Sequence, residues 1–122
     1  KGDPRLPLVV GKVDYRIHFA LNCGAVSCPP IKVFSADGLD AQLAAAADGF
    51  VESTARFDAA KRKLHVSKIV SWYAEDFAPV PLAAVLRHAP AAVRAEVEAA
   101  GVDQVTLAYD DYDWTTNAKP RN

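Results

Sequence analysis

The sequence has no methionine, only two cysteines, no long apolar run and no excess of charge of either sign. A helix that crosses a bilayer needs roughly 18 or more consecutive apolar residues, so the sequence predicts no membrane span. The 14 Lys and Arg residues are balanced by 15 Asp and Glu residues, which leaves a formal net charge of -1. Phosphate contacts need a clear excess of basic residues, and this balance therefore argues against a nucleic-acid-binding protein.

The chain of 122 residues is long enough for one domain with one core, and its 51% apolar and 24% charged residues are ordinary for a globular protein. It starts at Lys1 without an initiator methionine or a signal peptide. We therefore expect residues 1–122 to form a single domain that is the C-terminal part of a larger one, with its upstream half absent. That half, or a partner chain in its place, would cover an exposed apolar patch near residue 15.

The residue patterns predict an α+β fold with a small, mostly antiparallel sheet of four or five strands and with three or four helices. Alternating residues predict strands at 15–22 and 31–34, and we place the first at the centre of the sheet. The spacing of apolar residues predicts a helix that begins near Asp37 and fades at Ser53. Its buried stripe should consist of Leu39, Leu43, Ala46 and Phe50.

Turn-forming and capping residues organise the second half of the chain. Residues 55–57 and 63–66 are typical of a hairpin with a polar turn, and Ser67 is a suitable cap for the helix that follows. Two prolines at positions 79 and 81 end that helix. Beyond them we predict two helices, at 82–88 and 90–100, with Gly101 after the second, and a last strand at 104–109.

The strongest candidate site comprises His18, Asn22, Cys23 and Cys28. A cysteine hydrolase needs a thiolate nucleophile, a histidine base and an Asn or Asp that orients the histidine. Asn22 would lie on the same face of the predicted strand as His18 but roughly 13 Å away, which is too far to orient it. Cys28 returns on the following loop and should come nearer to His18 than Cys23 does. These four residues are our predicted catalytic set.

The same residue types allow two other interpretations. Cys23 and Cys28, with four residues between them, could form a disulfide, and His18 would then be a structural hydrogen-bonding group. A metal site would use all three with a fourth ligand such as Asp76 or Asp113, although structural zinc sites usually have tighter cysteine spacing. We predict no metal and no cofactor.

The loop at residues 23–30 should be short and rigid, because Gly24 supplies backbone freedom at its start and two prolines fix its end. We predict that it lines the principal cleft, packed against Trp72 or Trp114, with His18 within reach. The alternative is an outward-facing turn that a disulfide closes.

Aromatic and acidic residues mark a second candidate site. Trp72, Asp76, Asp113 and Trp114 are our predicted ligand-binding residues, because an aromatic face beside carboxylates suits a peptide or a carbohydrate. The alternatives are a helix end packed on the core for the first pair, where Asp76 could orient a histidine, and an Asp-rich turn for the second. The other two histidines, at positions 65 and 88, have no evident companion residue.

Three segments stand out together: RIHFALNCGAVSCPP at residues 16–30, SKIVSWYAEDF at 67–77 and YDWTTN at 112–117. In order and spacing they resemble the domain-of-unknown-function family numbered 547 over nearly the whole chain. The first motif is highly specific and the other two are moderately so. The resemblance implies an exported protein, since bacterial members commonly carry an export signal, whereas plant members carry the domain beside a coiled coil. It also implies a distant similarity to papain-like and transglutaminase-like cysteine hydrolases.

Two hypotheses for the function follow. In the first, the chain is a divergent cysteine-hydrolase-like domain, a peptidase or acyltransferase of the cell envelope, periplasmic or otherwise exported. Cys28 or Cys23 would be the nucleophile and His18 the base. In the second, it is a non-catalytic binding or scaffold module with a structural Cys23–Cys28 disulfide. Members of the family normally have an upstream helical half, and a papain-like nucleophile would fall in that half.

Overall fold

The computed structural model describes residues 2–118 and has the predicted α+β architecture. The α-helices are α1 (Leu39–Thr54), α2 (Lys68–Trp72), α3 (Pro81–Leu86) and α4 (Ala91–Ala100). The strands are β1 (Arg56–Asp58), β2 (Lys63–Ser67) and β3 (Thr106–Asp110). Short 3-10 helices span Leu6–Leu8, Tyr15–Phe19 and Val102–Gln104.

The sheet has three strands in the order β1-β2-β3, fewer than the four or five predicted, and it is mixed rather than mostly antiparallel. Strand β1 pairs antiparallel with β2, with Phe57 opposite Leu64, as the predicted hairpin requires. Strand β3 pairs with β2 in parallel, and Leu107 also lies opposite Leu64. Parallel neighbours need a long crossover, which helices α2 to α4 provide.

Residues 15–22 do not form the predicted central strand. They contain the 3-10 helix Tyr15–Phe19, which begins where the Asp14 carboxylate accepts the backbone N–H of Arg16. The Arg16 guanidinium lies 2.6 Å from this carboxylate and 2.7 Å from that of Asp40 in α1. The second ion pair holds the turn against α1, and no local alternation of residues could have indicated it.

The 3-10 turn changes which side chains are buried. A strand would put Phe19 and Leu21 on one face, but Leu21 is 66% exposed, and the consecutive His18 and Phe19 are both buried. The predicted strand at residues 31–34 is a loop with exposed apolar side chains. Neither segment pairs with a strand of the sheet, and alternation without a hydrogen-bonding partner does not make a strand.

Helix α1 forms as predicted but begins differently. Three of the four residues in its predicted stripe are buried, and Leu39 is the exception. Asp37 does not cap the helix. The N-cap position is occupied by Gly38, which has no side chain, so the helix has no side-chain cap. The helix continues to Thr54 and packs against β2 and the 3-10 helix Tyr15–Phe19.

The caps of the second half act as predicted, but the prolines at positions 79 and 81 do not end α2, which already ends at Trp72. Ser67 Oγ accepts the backbone N–H of Ile69 at the start of α2, and Pro81 begins α3. Gly101 ends α4 with a φ of +84°, a left-handed conformation that favours glycine. Strand β3 begins later than predicted because the 3-10 helix Val102–Gln104 comes first.

The core is one cluster of buried side chains between the helices and the sheet. Its members are Phe19, Ala47, Phe50, Val51, Leu64, Val66, Ile69, Val70, Phe77, Val85, Ala89, Val97 and Val105. By contrast, residues 6–13 expose five large apolar side chains. An apolar patch near residue 15, covered by an upstream half or a partner chain, stays a prediction. Of the helices described between residues 2 and 118, none is long and apolar enough for a membrane span.

Candidate functional site

A pocket of about 200 Å³ lies between the loop at residues 21–29, helix α2 and the segment after β3. It brings together six of the eight predicted site residues, namely His18, Asn22, Cys23, Cys28, Trp72 and Trp114. The remaining lining residues are Leu21, Pro29, Ile69, Tyr73 and Tyr112. Residues from three distant parts of the chain therefore meet at one mostly apolar, aromatic surface.

His18 is held in place by two residues that follow helix α2. Its Nε2 lies 2.8 Å from Asp76 Oδ2, and its ring stacks on Tyr73 with centroids 3.9 Å apart and planes 13° apart. A carboxylate oxygen accepts, so the Nε2–H group of His18 donates to Asp76. Asp76 thus contacts a histidine of the pocket, as in one of our alternatives, but does not line the pocket itself.

Cys23 and Cys28 form a disulfide that closes a tight loop at the pocket. A thiolate, and not a disulfide sulfur, is the nucleophile in cysteine hydrolases and the ligand in metal sites. In this oxidised state neither sulfur can therefore play the catalytic part that we predicted or complete the alternative metal site. Among residues 2–118, no group of three or more His, Cys, Asp or Glu side chains is arranged to hold a metal ion.

Asn22 shapes the loop and does not contact the histidine. Its Nδ2 donates to the carbonyl oxygen of Pro29 at 2.6 Å, and its Oδ1 accepts the backbone N–H of Gly24 at 2.8 Å. Both ends of the amide are therefore engaged within the loop. Asn22 closes the turn across the disulfide, so its predicted catalytic role has no geometric support here.

The four small residues between the cysteines face the C-terminal segment instead of the pocket. The backbone N–H of Val26 donates to Thr115 and that of Ser27 to Asp113, while Asn117 donates to the carbonyl oxygen of Gly24. Gly24 has a φ of +84°, which favours glycine, and Ser27 Oγ accepts the backbone N–H of Asp113 at 2.9 Å. Of residues 23–30, only Cys23, Cys28 and Pro29 line the pocket.

Three aromatic rings form the outer wall of the pocket. The Trp72 and Trp114 rings lie 5.5 Å apart at 28°, and Tyr112 contacts both with centroid distances of 4.9 and 4.6 Å. Trp114 is still 65% exposed. Burial raises the pKa of Tyr112 above its ordinary value of 10.0, so its hydroxyl group keeps its proton and can donate.

Asp113, like Asp76, is a predicted ligand-binding residue that does not line the pocket. Its Oδ1 accepts the side-chain hydroxyl of Thr115 at 2.6 Å and the backbone N–H of the same residue at 2.9 Å. These bonds, the side-chain one first, hold the pKa of Asp113 below its ordinary value of 3.8. The Asp-rich turn that we gave as the alternative is therefore present.

The comparison with known families bears on the part of the chain that contributes the disulfide. Residues 1–51 match the family described as "Protein of unknown function, DUF547". This match confirms the predicted resemblance for that segment, which includes the first of the three motifs. No curated protein and no solved structure matches the chain significantly.

The pocket is shared between the segment that matches DUF547 and the rest of the chain. The matching segment supplies His18, the disulfide and the loop, whereas the aromatic lining residues come from positions 72–73 and 112–114. Tyr73 and Tyr112 were absent from our predicted site. Only their positions inside the second and third motifs could have indicated them, because Tyr73 contacts His18 and Tyr112 contacts Cys28, and both contacts join residues far apart in sequence.

The expectation that the other two histidines lack companions was wrong. His88 Nδ1 lies 2.7 Å from Asp48 Oδ1, and its Nε2 lies 2.8 Å from the hydroxyl oxygen of Tyr15. His65 Nδ1 lies 3.1 Å from both Asp110 Oδ1 and a guanidinium nitrogen of Arg56. The sequence held a signal only for the last contact, since the predicted hairpin makes positions 56 and 65 cross-strand neighbours.

Proposed function

We propose that the domain is a non-catalytic binding module whose aromatic pocket takes one apolar side chain of an extended peptide. The observation that carries this proposal is the composition of the pocket, in which Trp72, Tyr112 and Trp114 stand around a disulfide. Concave, mostly apolar sites with a few polar groups are typical ligand pockets. Exposed Trp114 offers a ring face that a bound side chain would cover.

The polar groups of the pocket favour an apolar ligand over a sugar. The Asn22 amide is engaged at both ends, His18 Nε2 is paired with Asp76, and the Tyr112 hydroxyl group is directed at the disulfide. A sugar needs partners for several hydroxyl groups, and burying them without partners costs about 1–3 kcal/mol each. A volume of about 200 Å³ is also suited to one side chain of a peptide.

We also propose that the protein is located in the cell envelope, in the periplasm or otherwise exported. The support is the exposure of Cys23 in the disulfide, because accessible disulfides persist in oxidising compartments and are rare in the cytosol. Localisation of the full-length natural protein by cell fractionation tests this proposal. Recovery from the cytosolic fraction alone would contradict it.

The binding proposal is tested with an array of short peptides that vary in one apolar position. Peptides with a large apolar side chain should quench the tryptophan fluorescence of the oxidised chain, and Trp114→Ala should weaken their binding at least about tenfold, as losing a central aromatic contact does. Tyr109→Ala is the matched control, because Tyr109 is an exposed aromatic residue of β3 that does not line the pocket.

Three outcomes would contradict the peptide proposal. They are binding that depends equally on Trp114 and Tyr109, binding that is insensitive to the size of the apolar side chain, and selective binding on a carbohydrate array. Circular dichroism of both variants checks that the fold is kept. The partial exposure of both side chains makes large losses of stability unexpected.

A second candidate is the cysteine-hydrolase-like activity, and one contact favours it. The His18–Asp76 pair is the arrangement that orients a histidine base, and His18 lines the pocket together with both cysteines. No match to a papain-like protein supports this candidate. Labelling of the reduced chain with a thiol-directed electrophile at neutral pH tests it. Labelling that is fast, and equally fast after His18→Ala, would remove His18 as the activating base.

A further inference from the structure

The two sulfurs of the disulfide have different surroundings. Cys28 Sγ accepts the backbone N–H of Cys23 and the hydroxyl group of Tyr112, each at 3.0 Å. Cys23 Sγ has one longer contact, 3.6 Å from the same hydroxyl oxygen. Cys23 is exposed, whereas Cys28 is half-buried. Cys23 is therefore the more exposed of the two residues, and the Cys28 sulfur is the one at which both short hydrogen bonds are directed.

We propose that the Cys23–Cys28 disulfide is a thiol–disulfide exchange site whose reductant is a dithiol. The thiolate of the dithiol attacks Cys23 Sγ and forms a mixed disulfide with it. The Cys23–Cys28 bond breaks, and its electron pair goes to Cys28 Sγ, which leaves as a thiolate. The second thiol of the reductant, as its thiolate, then displaces Cys23 as a thiolate that takes a proton from water. The dithiol is oxidised to a disulfide, and the chain takes up two electrons.

The direction of the exchange follows from the hydrogen bonds at Cys28. Exchange is faster when the leaving sulfur is stabilised as a thiolate, and hydrogen bonds to a charged acceptor are about twice as strong as neutral ones. Both donors already point at Cys28 Sγ in the oxidised state, so no rearrangement is needed as negative charge develops there. Tyr112 keeps its proton at neutral pH, because burial raises its pKa.

The reduced chain would present a stabilised Cys28 thiolate in a pocket that His18, paired with Asp76, also lines. The same pocket would thus bind a ligand through its aromatic wall in the oxidised state and expose a nucleophile in the reduced state. The exchange itself needs no ligand. It does not rest on the proposed function and is measured without a peptide.

The first experiment identifies the sulfur that is attacked. The oxidised full chain is incubated with reduced glutathione, quenched with acid, and its mixed disulfides are located by peptide mass spectrometry. We expect glutathione on Cys23. Adducts found mainly on Cys28, or equally on both cysteines, would overturn the proposal. This measurement uses the unaltered chain and therefore does not depend on how any variant folds.

The second experiment tests the donor. Tyr112→Phe removes the hydroxyl group and keeps the ring that contacts both tryptophans. We expect reduction by dithiothreitol to slow by about three- to tenfold, as the loss of one ordinary hydrogen bond predicts, because only part of the negative charge has developed on Cys28 Sγ in the transition state. Alkylation of reduced Cys28 by iodoacetamide at pH 7 should slow as well. Tyr109→Phe is the matched control and should change neither rate. Rates in Tyr112→Phe equal to those in the control would overturn the proposal.

Discussion

His18 Nε2 lies 2.8 Å from Asp76 Oδ2, although 58 positions separate the two residues in the chain. The contact ties the 3-10 helix Tyr15–Phe19 to the turn that follows α2. The contact also gives a hydrogen-bonding partner to the His18 side chain, which is only 7% exposed. A polar group at this depth needs a partner, so the pair contributes both to stability and to the shape of the pocket.

Asp76→Ala should destabilise the fold by about 1–3 kcal/mol, because it leaves the N–H group of a buried imidazole without its acceptor. The free energy of unfolding is measured by urea denaturation at pH 7. Glu75→Ala is the control, since it removes an exposed carboxylate from the adjacent position and should stay within about 0.5 kcal/mol of the unaltered chain. Equal losses in both variants would show that the His18 contact is not what Asp76 contributes.

Tyr15→Phe should also destabilise the fold, by about 1–2 kcal/mol. His88 is buried, with Nδ1 bonded to Asp48 and Nε2 to the Tyr15 hydroxyl group. The phenylalanine ring keeps the packing on Phe77, whose ring centroid lies 5.1 Å from that of Tyr15, but it leaves His88 Nε2 without its partner. Thermal and urea unfolding measure the loss. Tyr109→Phe at an exposed position serves for comparison, and a loss of the same size there would refute this explanation.

Arg56→Met should destabilise the chain at neutral pH and have no such effect in acid. The hydrogen bonds of Arg56 hold the pKa of Asp110 below its ordinary value of 3.8. A carboxylate with a lowered pKa in the folded state contributes stability above 3.8, and this contribution is lost as the pH falls below that value. The unfolding curves of Arg56→Met and of the unaltered chain should therefore differ at pH 7 and converge at pH values below about 3.

Lys32→Met provides the control for this pH dependence, because it removes one positive charge from an exposed position on the loop before α1. Its difference from the unaltered chain should be small at every pH. A difference for Arg56→Met that persists unchanged into acid would show that the effect comes from packing of the arginine stem and not from its bond to Asp110.

Replacing both cysteines, as in Cys23→Ser with Cys28→Ser, should lower the free energy of unfolding by roughly 2 kcal/mol. The disulfide closes a loop with a sequence separation of 5, and even a short closed loop restricts the unfolded chain. Adding a reductant to the unaltered chain should produce a similar loss, whereas the double variant should not respond to it. A response of the double variant would mean that the reductant acts elsewhere.

Local signals in the sequence predicted much of the fold. The hairpin of β1 and β2, the Ser67 cap and Gly101 at the end of α4 all depend on residues that are neighbours in the chain. The disulfide was one of the stated alternatives for the same reason, since Cys23 and Cys28 are close in sequence. For such features the tertiary structure added only their final boundaries.

The predicted strand at residues 15–22 failed because alternation describes side chains and says nothing about backbone partners. Asp14 and Asp40 fold this segment into a 3-10 turn through Arg16, and one of those contacts comes from another element. The parallel pairing of β3 with β2 was hidden for a related reason. Its register depends on the crossover through α2 to α4, which no short window of sequence describes.

The sequence by itself determined which residue types were available for a site: one strand-like segment with a histidine, two nearby cysteines and two motifs with aromatic and acidic residues. Only the tertiary structure decided their roles. It paired His18 with Asp76, engaged Asn22 within its own loop, left Asp113 in a turn and directed the Tyr112 hydroxyl group at Cys28. Hydrogen bonds act over about 3 Å, so contacts between residues 58 or 84 positions apart exist only once the chain has folded.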